Sequence, residues 1–530
     1  MKHCVIPRVR RLAVLCCLCL PVAAEAIVTL GRDIELEGFV EAKNILRTPS
    51  FDDAELIMQR NIGQLESKYY FLRDSTAFGR FDTGRLEEAT LNVIARGHYD
   101  SAYDIRDQYE DVRAQSAQYE VKIREAFVDL ILPPFSLRLG KQQVVWGETD
   151  NFRAIDIINP LDLSWHWARE SWEDIRIPLW MVRGIWDIGK LGFVEESFLE
   201  LLWIPADFKP NKVTTDVNRP WAFFGDGLPR GANSVIVGNQ AYDLNFTLND
   251  RKPDQTLGDG QGGFRFKAIW GEIDFSLNYF YGFSADPGVK FRNNRFSITG
   301  NRANVFGDLV HPRQHTLGLS ANYSEERFTQ AVFRLETAFT TNVPVAVAAG
   351  APASVDPEGD QYEEADRTTV MLAMDRPTWI PWLNKNRTFF LSSQVFWRRW
   401  IEYDESFRGP SSTYQAMLNG SVLPNRFVSV RDDEIDQNEF VITFSASSSY
   451  GPAGLIKPLF VFAIDPRSTG AYNRFQLEYL YTNNIMFRFQ QDLYWEMYDN
   501  DPGPWQLGDI WGHDSAQSRH ETIFSVIFTF

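Results

Sequence analysis

The chain has 530 residues, a formal net charge of −17 and a mean hydropathy of −0.28. That charge excludes nucleic acid and anionic membrane surfaces as partners. Beyond the N-terminus no stretch approaches the roughly 18 apolar residues that a transmembrane helix requires.

Lys2, Arg8, Arg10 and Arg11 form a positive n-region, and Leu12 to Leu20 a short apolar core. Pro21-Val22-Ala23-Ala24-Glu25-Ala26 then offers small residues for a signal peptidase, so residues 1–26 are expected to be a signal peptide cleaved after Ala26 or Ala24. The core is too short for a spanning helix. A lipoprotein reading fails because Cys16, Cys17 and Cys19 each follow Leu or Cys, where a lipobox needs small residues. Cys4 also lies in this peptide, so residues 27–530 contain no cysteine. Disulfides, thiolate metal sites and cysteine nucleophiles are thereby excluded. Cleavage removes four basic residues and one acidic, leaving 49 basic against 69 acidic and a net charge near −20.

The remaining 27–530 reads as one domain of alternating strands. The segments are Ile34–Leu46, Gln59–Leu72, Arg85–Tyr99, Tyr119–Leu132, Phe135–Trp146, Ile177–Ile188, Leu191–Ile204, Gly262–Trp270 and Ile273–Phe283. They continue with Gln314–Tyr323, Arg327–Thr340, Arg367–Asp375, Arg387–Tyr403, Asn438–Ser448, Lys457–Ile464, Tyr472–Thr482, Asn484–Met497 and Arg519–Phe530. In Ile273–Phe283, Ile273, Phe275, Leu277, Tyr279 and Tyr281 alternate with Asp274, Ser276 and Asn278, giving one apolar and one polar face. Pro133-Pro134, Gly189-Lys190, Gly271-Glu272, Ser324-Glu325-Glu326 and the corner Thr482-Asn483-Asn484 read as tight turns. Long polar connections lie between them, at 105–118, 147–176, 205–261, 284–313, 341–366, 404–437 and 498–518. A membrane protein without apolar helices must satisfy its backbone by closing a sheet. The expected fold is therefore all-β: a transmembrane antiparallel up-and-down barrel of eighteen strands, or sixteen if weak segments such as 457–464 are not strands. Short turns are expected in the periplasm and long loops outside. Aromatics at 14%, with 40 Phe, 19 Tyr and 16 Trp, suffice for girdles at both membrane interfaces.

A barrel this wide holds an aqueous lumen or a plug. Its expected inward face carries Glu88, Arg96, Glu120, Lys122, Arg138, Arg183, Arg265, Lys267, Arg334, Glu336, Arg398, Glu478 and Arg488 as candidate pore-lining residues. Facing rows of acid and base would set a transverse field across a constriction. The alternative is a solvated wall, or one stiffened by salt bridges.

The densest constellation opens at Gly140-Lys141-Gln142-Gln143, passes Trp146-Gly147-Glu148 and Asp156, and runs through Trp165-His166-Trp167-Ala168-Arg169-Glu170 and Trp172 to Arg176. With Arg124-Glu125-Ala126 upstream, and Arg376-Pro377-Thr378-Trp379-Ile380 and Asn386-Arg387-Thr388-Phe389-Phe390 later, it resembles a family of proteobacterial outer-membrane barrels of unknown function. Genes of that family often sit near an exporter of the resistance-nodulation-division (RND) type. The resemblance implies a transport-associated barrel with a periplasmic or RND-type partner and supplies no catalytic residues. Physically, residues 147–176 suit a loop folded into the lumen, with Trp146, Glu148, Asp156, Trp165, Trp167, Arg169, Glu170, Trp172 and Arg176 as constriction candidates. An ordinary extracellular cap is the other reading.

Chemistry other than transport finds little footing. No Gly-x-Ser-x-Gly elbow or HExxH pair is present. The acidic stretches Asp356–Asp366 and Arg431–Asp436 lack the spacing of a calcium loop, so no metal or cofactor is expected. The last residues, His520 to Phe530, place Thr522, Phe524, Val526, Phe528 and Phe530 on one face, and Glu521, Ser525 and Thr529 on the other with Ile523 and Ile527. They resemble the C-terminal sorting signal read by the barrel-assembly machinery, which implies an outer-membrane location amid lipid and lipopolysaccharide. The expected function is a channel or transport component for small or amphiphilic solutes. A structural or adhesive barrel with a plugged lumen, and an outer-membrane hydrolase, are the alternatives.

Overall fold

The computed structural model describes residues 27–50, 53–77, 81–106, 118–150, 152–166, 170–213, 233–409, 412–430, 434–467, 470–496 and 520–530. The expected signal peptide lies outside them. Eighteen antiparallel strands close into a barrel. They are β1 (Ile34–Ser50), β2 (Asp53–Arg73), β3 (Glu88–Asp100), β4 (Tyr119–Leu132), β5 (Phe135–Gln142), β6 (Leu179–Asp187), β7 (Glu196–Ile204), β8 (Gln261–Trp270) and β9 (Ile273–Phe283). The second half comprises β10 (Arg313–Glu325), β11 (Ala331–Val347), β12 (Tyr362–Thr378), β13 (Phe389–Trp400), β14 (Asn438–Ser447), β15 (Ile456–Ile464), β16 (Gly470–Leu480), β17 (Ile485–Glu496) and β18 (Glu521–Thr529). Each pairs with its neighbour in sequence, and β1 pairs with β18 from Phe39↔Thr529 to Arg47↔Glu521. All eighteen segments read from the alternation are strands, and the segment at 457–464 is one of them.

The alternation that defines the strands also sorts their faces. On β18, Phe524, Val526 and Phe528 are exposed on the outside, whereas Glu521, Ile523 and Ser525 are buried on the inside. The outer face carries Leu91, Val121, Leu201, Leu317 and Leu372, all exposed. A contiguous apolar belt around a closed sheet is a lipid-facing surface. Exposed aromatics rim it at both ends. Tyr99, Tyr119, Trp180, Trp203 and Tyr281 lie toward the long loops, and Trp186, Phe193, Trp270, Phe328 and Trp382 toward the short turns. Among the described residues no helix is long and apolar enough to cross a membrane.

The structure changes several boundaries. β5 stops at Gln142 rather than Trp146, because Val144 N–H donates to Asn159 Oδ1 instead of a neighbouring strand (2.8 Å). β11 and β12 run past the membrane edge and shorten the expected 341–366 connection to 348–361. The connections at 205–261 and 284–313 are not merely polar loops. Their strands Ser234–Val237, Gln240–Arg251, Gly288–Thr299 and Arg302–Val310 form a four-stranded sheet beyond the barrel. A hairpin of Ser412–Leu418 and Ser421–Val430 reaches that sheet, with Arg426 on Asp243 (2.9 Å).

The seam is exacting. Gly38 and Phe530 exchange both backbone hydrogen bonds, at 2.8 and 3.0 Å. A Cβ on Gly38 would stand 2.3 Å from Gln64 O and 3.0 Å from the Phe530 ring, whereas one on Gly63 meets nothing within 4 Å. Overpacking of this kind costs about 1–3 kcal/mol. Gly38→Val should therefore lower the fraction of protein that runs as a compact folded species on unheated denaturing gels at least severalfold. Gly63→Ala should leave it at the wild-type level. Equal folding of both variants would deny the seam this sensitivity.

Candidate functional site

The chain leaves β5 at Gln142 and returns at Leu179, and the connection between them lies against the inner wall rather than over the barrel mouth. Its two legs are stapled by Asn159, which accepts from Val144 N–H (2.8 Å) and donates to Ile177 O (2.9 Å). Gln143 donates to Glu125 on β4 (2.9 Å). Trp146 Nε1–H donates to Glu200 on β7 (3.2 Å), a carboxylate that also takes Arg183 and Arg265 at 2.8 and 2.7 Å. Gly147 then lets the backbone press inward, since a Cβ there would lie 3.0 Å from Asp156 Cβ and 3.3 Å from Glu336 Oε2.

From this point the loop crosses to the opposite wall. Glu148 accepts from Asn322 on β10 (2.6 Å) and lies 3.5 Å from Lys267 on β8, while its N–H donates to Glu336 on β11. Asp150 takes Arg334 of β11 at 2.8 Å and the Gln394 amide of β13 at 2.5 Å. Phe152 packs edge-on against Phe396 (5.4 Å), and Ala154 joins a buried cluster with Met371, Phe396, Val441, Tyr472 and Tyr494. Asp156 is held by Arg176 (2.6 Å) and Arg153 (3.4 Å) within the loop itself.

The return leg reaches β1, β2 and β18. Trp165 lies under the Arg60 guanidinium at 4.6 Å. His166 joins Glu170 (2.7 Å) through Nδ1 and Glu521 of β18 (3.0 Å) through Nε2, and Glu170 also binds Lys43 of β1 (2.7 Å). Ser171 caps the one-turn helix Trp172–Ile175, whose Asp174 pairs with Arg96 of β3 at 2.7 Å. Arg124 of β4 donates to the carbonyls of Glu173, Asp174 and Arg176. Facing β15–β17 the loop stands off the wall and leaves a cavity of about 310 Å³, lined by Glu41, Trp172, Arg474, Arg488 and Ser525 among others.

Of the loop residues singled out in the sequence, Trp146, Glu148, Asp156, Trp165, Glu170, Trp172 and Arg176 take part in these contacts. Trp167 and Arg169 lie outside the described residues. The charged wall positions are arranged differently from the expected facing rows. Acid and base sit beside one another: Glu88 with Lys68 (3.8 Å), Glu120 with Lys122 (2.5 Å), Arg138 with Asp129 (2.6 Å) and Lys267 with Asp274 (2.8 Å). Arg334 binds Asp375 (2.6 Å), Arg398 binds Glu439 (3.1 Å) and Arg488 binds Glu478 (2.9 Å). Neighbouring opposite charges cancel at short range, so a transverse field between opposed rows is not what this wall builds. Sequence reasoning missed Lys43, Asp150 and Glu200, and it named Arg124 and His166 within its motifs without giving either a part in the site. Arg124 shares the inward phase of Glu120 and Lys122, a signal that was there to read. The meeting of His166 with Glu521, 355 positions apart, left none.

Burial alone would disfavour the His166 cation, yet Glu521 and Glu170 on its two nitrogens outweigh this and raise its pKa to about 9. Burial likewise opposes the Glu170 charge, but Lys43 and His166 hold its carboxyl well below the usual range. A folded value above the ordinary 6.5 means that the His166 contribution is complete below about pH 6.5 and is lost as pH rises through about 9. A displacement from 6.5 to about 9 is worth on the order of 3 kcal/mol. The detergent-solubilised protein should therefore lose thermal stability between pH 7 and pH 10. His166→Phe should be less stable at pH 6, with the gap to wild type narrowing above pH 9. Parallel melting curves across this range would remove His166 as the source.

Solved structures similar to this chain are outer-membrane barrels. Acinetobacter baumannii OccAB3 is 11% identical over 94% of this chain and 99% of its own, with a TM-score of 0.44. Pseudomonas aeruginosa OccK8 (OprE) is 9% identical over 94% and 98%, with a TM-score of 0.43. Salmonella typhi OmpF, in complex with daunomycin, is 10% identical over 95% and 100%, with a TM-score of 0.37. At such values the likeness carries no argument about solutes, and the barrel stands on its own strand pairing. No curated protein matches the chain. A family model described as "Protein of unknown function (DUF1302)" matches residues 80–530, most of the chain, and the protein belongs to that family.

Proposed function

We propose that this protein is an outer-membrane channel for small or amphiphilic solutes, with the connection between β5 and β6 as its constriction. The observation that carries the reading is how that loop is fastened. It is bonded to strands around the wall by charged and polar groups, yet it leaves a polar cavity against β15–β17. A wall lined with paired charges holds water, and a polar constriction passes hydrated solutes while rejecting apolar ones. The candidate pore-lining residues act here through their pairs, tuning the width and polarity of the gap rather than a field across it. The apolar belt would sit in lipid and lipopolysaccharide, inserted by the assembly machinery that reads the final strand. The resemblance noted above adds an RND-type exporter with a periplasmic component as partner.

The density of the loop's fastening also favours a second reading, a plugged barrel whose outer sheet binds partners. One experiment separates them. In planar bilayers the wild-type protein should conduct, and Arg334→Ala should alter conductance measurably by removing the guanidinium that ties the Glu148 carbonyl and the Asp150 carboxylate to β11. Deletion of residues 149–172 should raise conductance severalfold. A silent wild type beside a conducting deletion would establish the plug. Equal conductance of the two would show that the loop does not limit passage. For the partnership, loss of the barrel and loss of the exporter should give the same solute-sensitivity phenotype, and additive phenotypes would separate them.

A further inference from the structure

The cavity between the loop and β15–β18 has one electrostatic peculiarity. Most of the charged groups that line it are already neutralised. Lys43 binds Glu170 (2.7 Å), Asp174 binds Arg96 (2.7 Å) and Asp150 binds Arg334 (2.8 Å). On the far wall Arg474 binds Asp492 (3.0 Å) and Arg488 binds Glu478 (2.9 Å). Glu41 is the exception. It is 7% exposed, it lines the cavity, and its Oε1 has no hydrogen-bond partner among the described residues. On the adjacent strand Ser525, 3% exposed and also lining the cavity, has an Oγ without a partner among the described residues. The register sets Lys43 opposite Ser525 and Glu41 opposite Ile527, so the two bare oxygens sit on neighbouring strands of the same inner face.

A buried carboxylate with an empty lone pair is costly unless something completes it. Lys43 does not, because it is already committed to Glu170, and the protonated His166 is shared between Glu170 and Glu521. The local sum is therefore negative, at Glu41 and at Asp150, whose partner Arg334 is shared with Asp375. A cation that donates hydrogen bonds supplies the missing donor and the missing charge together. The space of about 310 Å³ is at the small end of ligand sites and ample for a few-carbon molecule. Trp172, Tyr472 and Ile523 supply apolar surface around the polar floor.

We infer that this cavity is a binding site for a small organic ammonium ion, whose N–H groups complete Glu41 Oε1 and Ser525 Oγ and whose short carbon chain lies along Trp172, Tyr472 and Ile523. As a filter for permeating solutes the site rests on the channel reading above, and it makes amine-bearing solutes the favoured class. As a binding site it holds whether or not the barrel conducts. The three arginine and lysine side chains in the cavity do not make it an anion site, because each is bound to a carboxylate of its own and the unpartnered Glu41 oxygen can only accept.

Calorimetric titration of the folded full-length protein in detergent tests this, with n-butylammonium as probe and butyrate as its anionic counterpart of similar size. Saturable binding of n-butylammonium is expected, with at least tenfold weaker binding to Glu41→Gln, smaller weakening in Ser525→Ala, and none of butyrate to any of the three. Compact migration on unheated gels confirms that each variant is folded. Binding of butyrate as tight as that of n-butylammonium, or unchanged affinity in folded Glu41→Gln, overturns the assignment. Since heat of binding needs no conduction, a positive titration beside a silent bilayer would end the channel reading and leave the site standing.

Discussion

Everything in this molecule follows from closing a sheet on itself. In hydrocarbon an unpaired backbone N–H or C=O costs several kcal/mol, so the first and last strands must find each other. They do so along a continuous register from Phe39↔Thr529 to Arg47↔Glu521, finished by the Gly38–Phe530 pair. Closure at eighteen strands has a price in geometry. The wall side chains of such a barrel cannot meet across its axis, and the interior must be occupied by water, by chain, or by both. The connection after β5 is that chain.

How the loop is held decides what kind of interior results. One part is apolar, with Phe152 and Ala154 in a cluster drawn from several strands. The rest is held by charge: Glu148 and Asp150 on one side, His166, Glu170 and Asp174 on the other. Buried ion pairs add little net stability over a packed apolar contact, since each charge must first lose its water. They do fix geometry, because a bonded carboxylate has few acceptable positions. A purely apolar plug would have closed on the wall by dewetting. Polar fastening keeps hydrated surface on both partners, and the gap against β15–β17 persists beside it.

Period-two alternation made all the barrel strands legible, since a lipid face and a polar face leave no other arrangement of residues such as Phe524, Val526 and Phe528 against Glu521 and Ser525. The sheet beyond the barrel escaped although Gln240–Arg251 alternates, with Tyr242, Leu244, Phe246 and Leu248 on one face and Asp243, Asn245, Thr247 and Asn249 on the other, because it sits inside a long connection that reads as a polar loop. Inward charge was also visible from phase, but its meaning depended on register. Arg265 lies directly opposite Glu200 and Arg398 directly opposite Glu439, a fact of pairing that alternation within one strand cannot express. The Trp-Gly-Glu block announced itself by composition. Its partners Glu336, Asn322 and Lys267 lie far away in sequence; phase marks Glu336 and Lys267 as inward charges, but nothing local says that this block is what they meet.

Glycine positions show how deeply the loop belongs to the barrel. On the inner face of β8, a Cβ on Gly263 would stand 3.1 Å from the Trp146 ring as well as against the next strand. On β10, a Cβ on Gly318 would stand 3.0 Å from Ile155. The wall is thus hollowed where the loop's large side chains press on it, and the loop in turn has Gly147 where Glu336 presses back. Such matched recesses are wasted on a segment that only visits the lumen, because each would leave an unfilled notch whenever the loop departed. Loop and wall are therefore one structural unit. On the channel reading proposed above, passage is then decided by the space they leave between them, not by the loop swinging in and out.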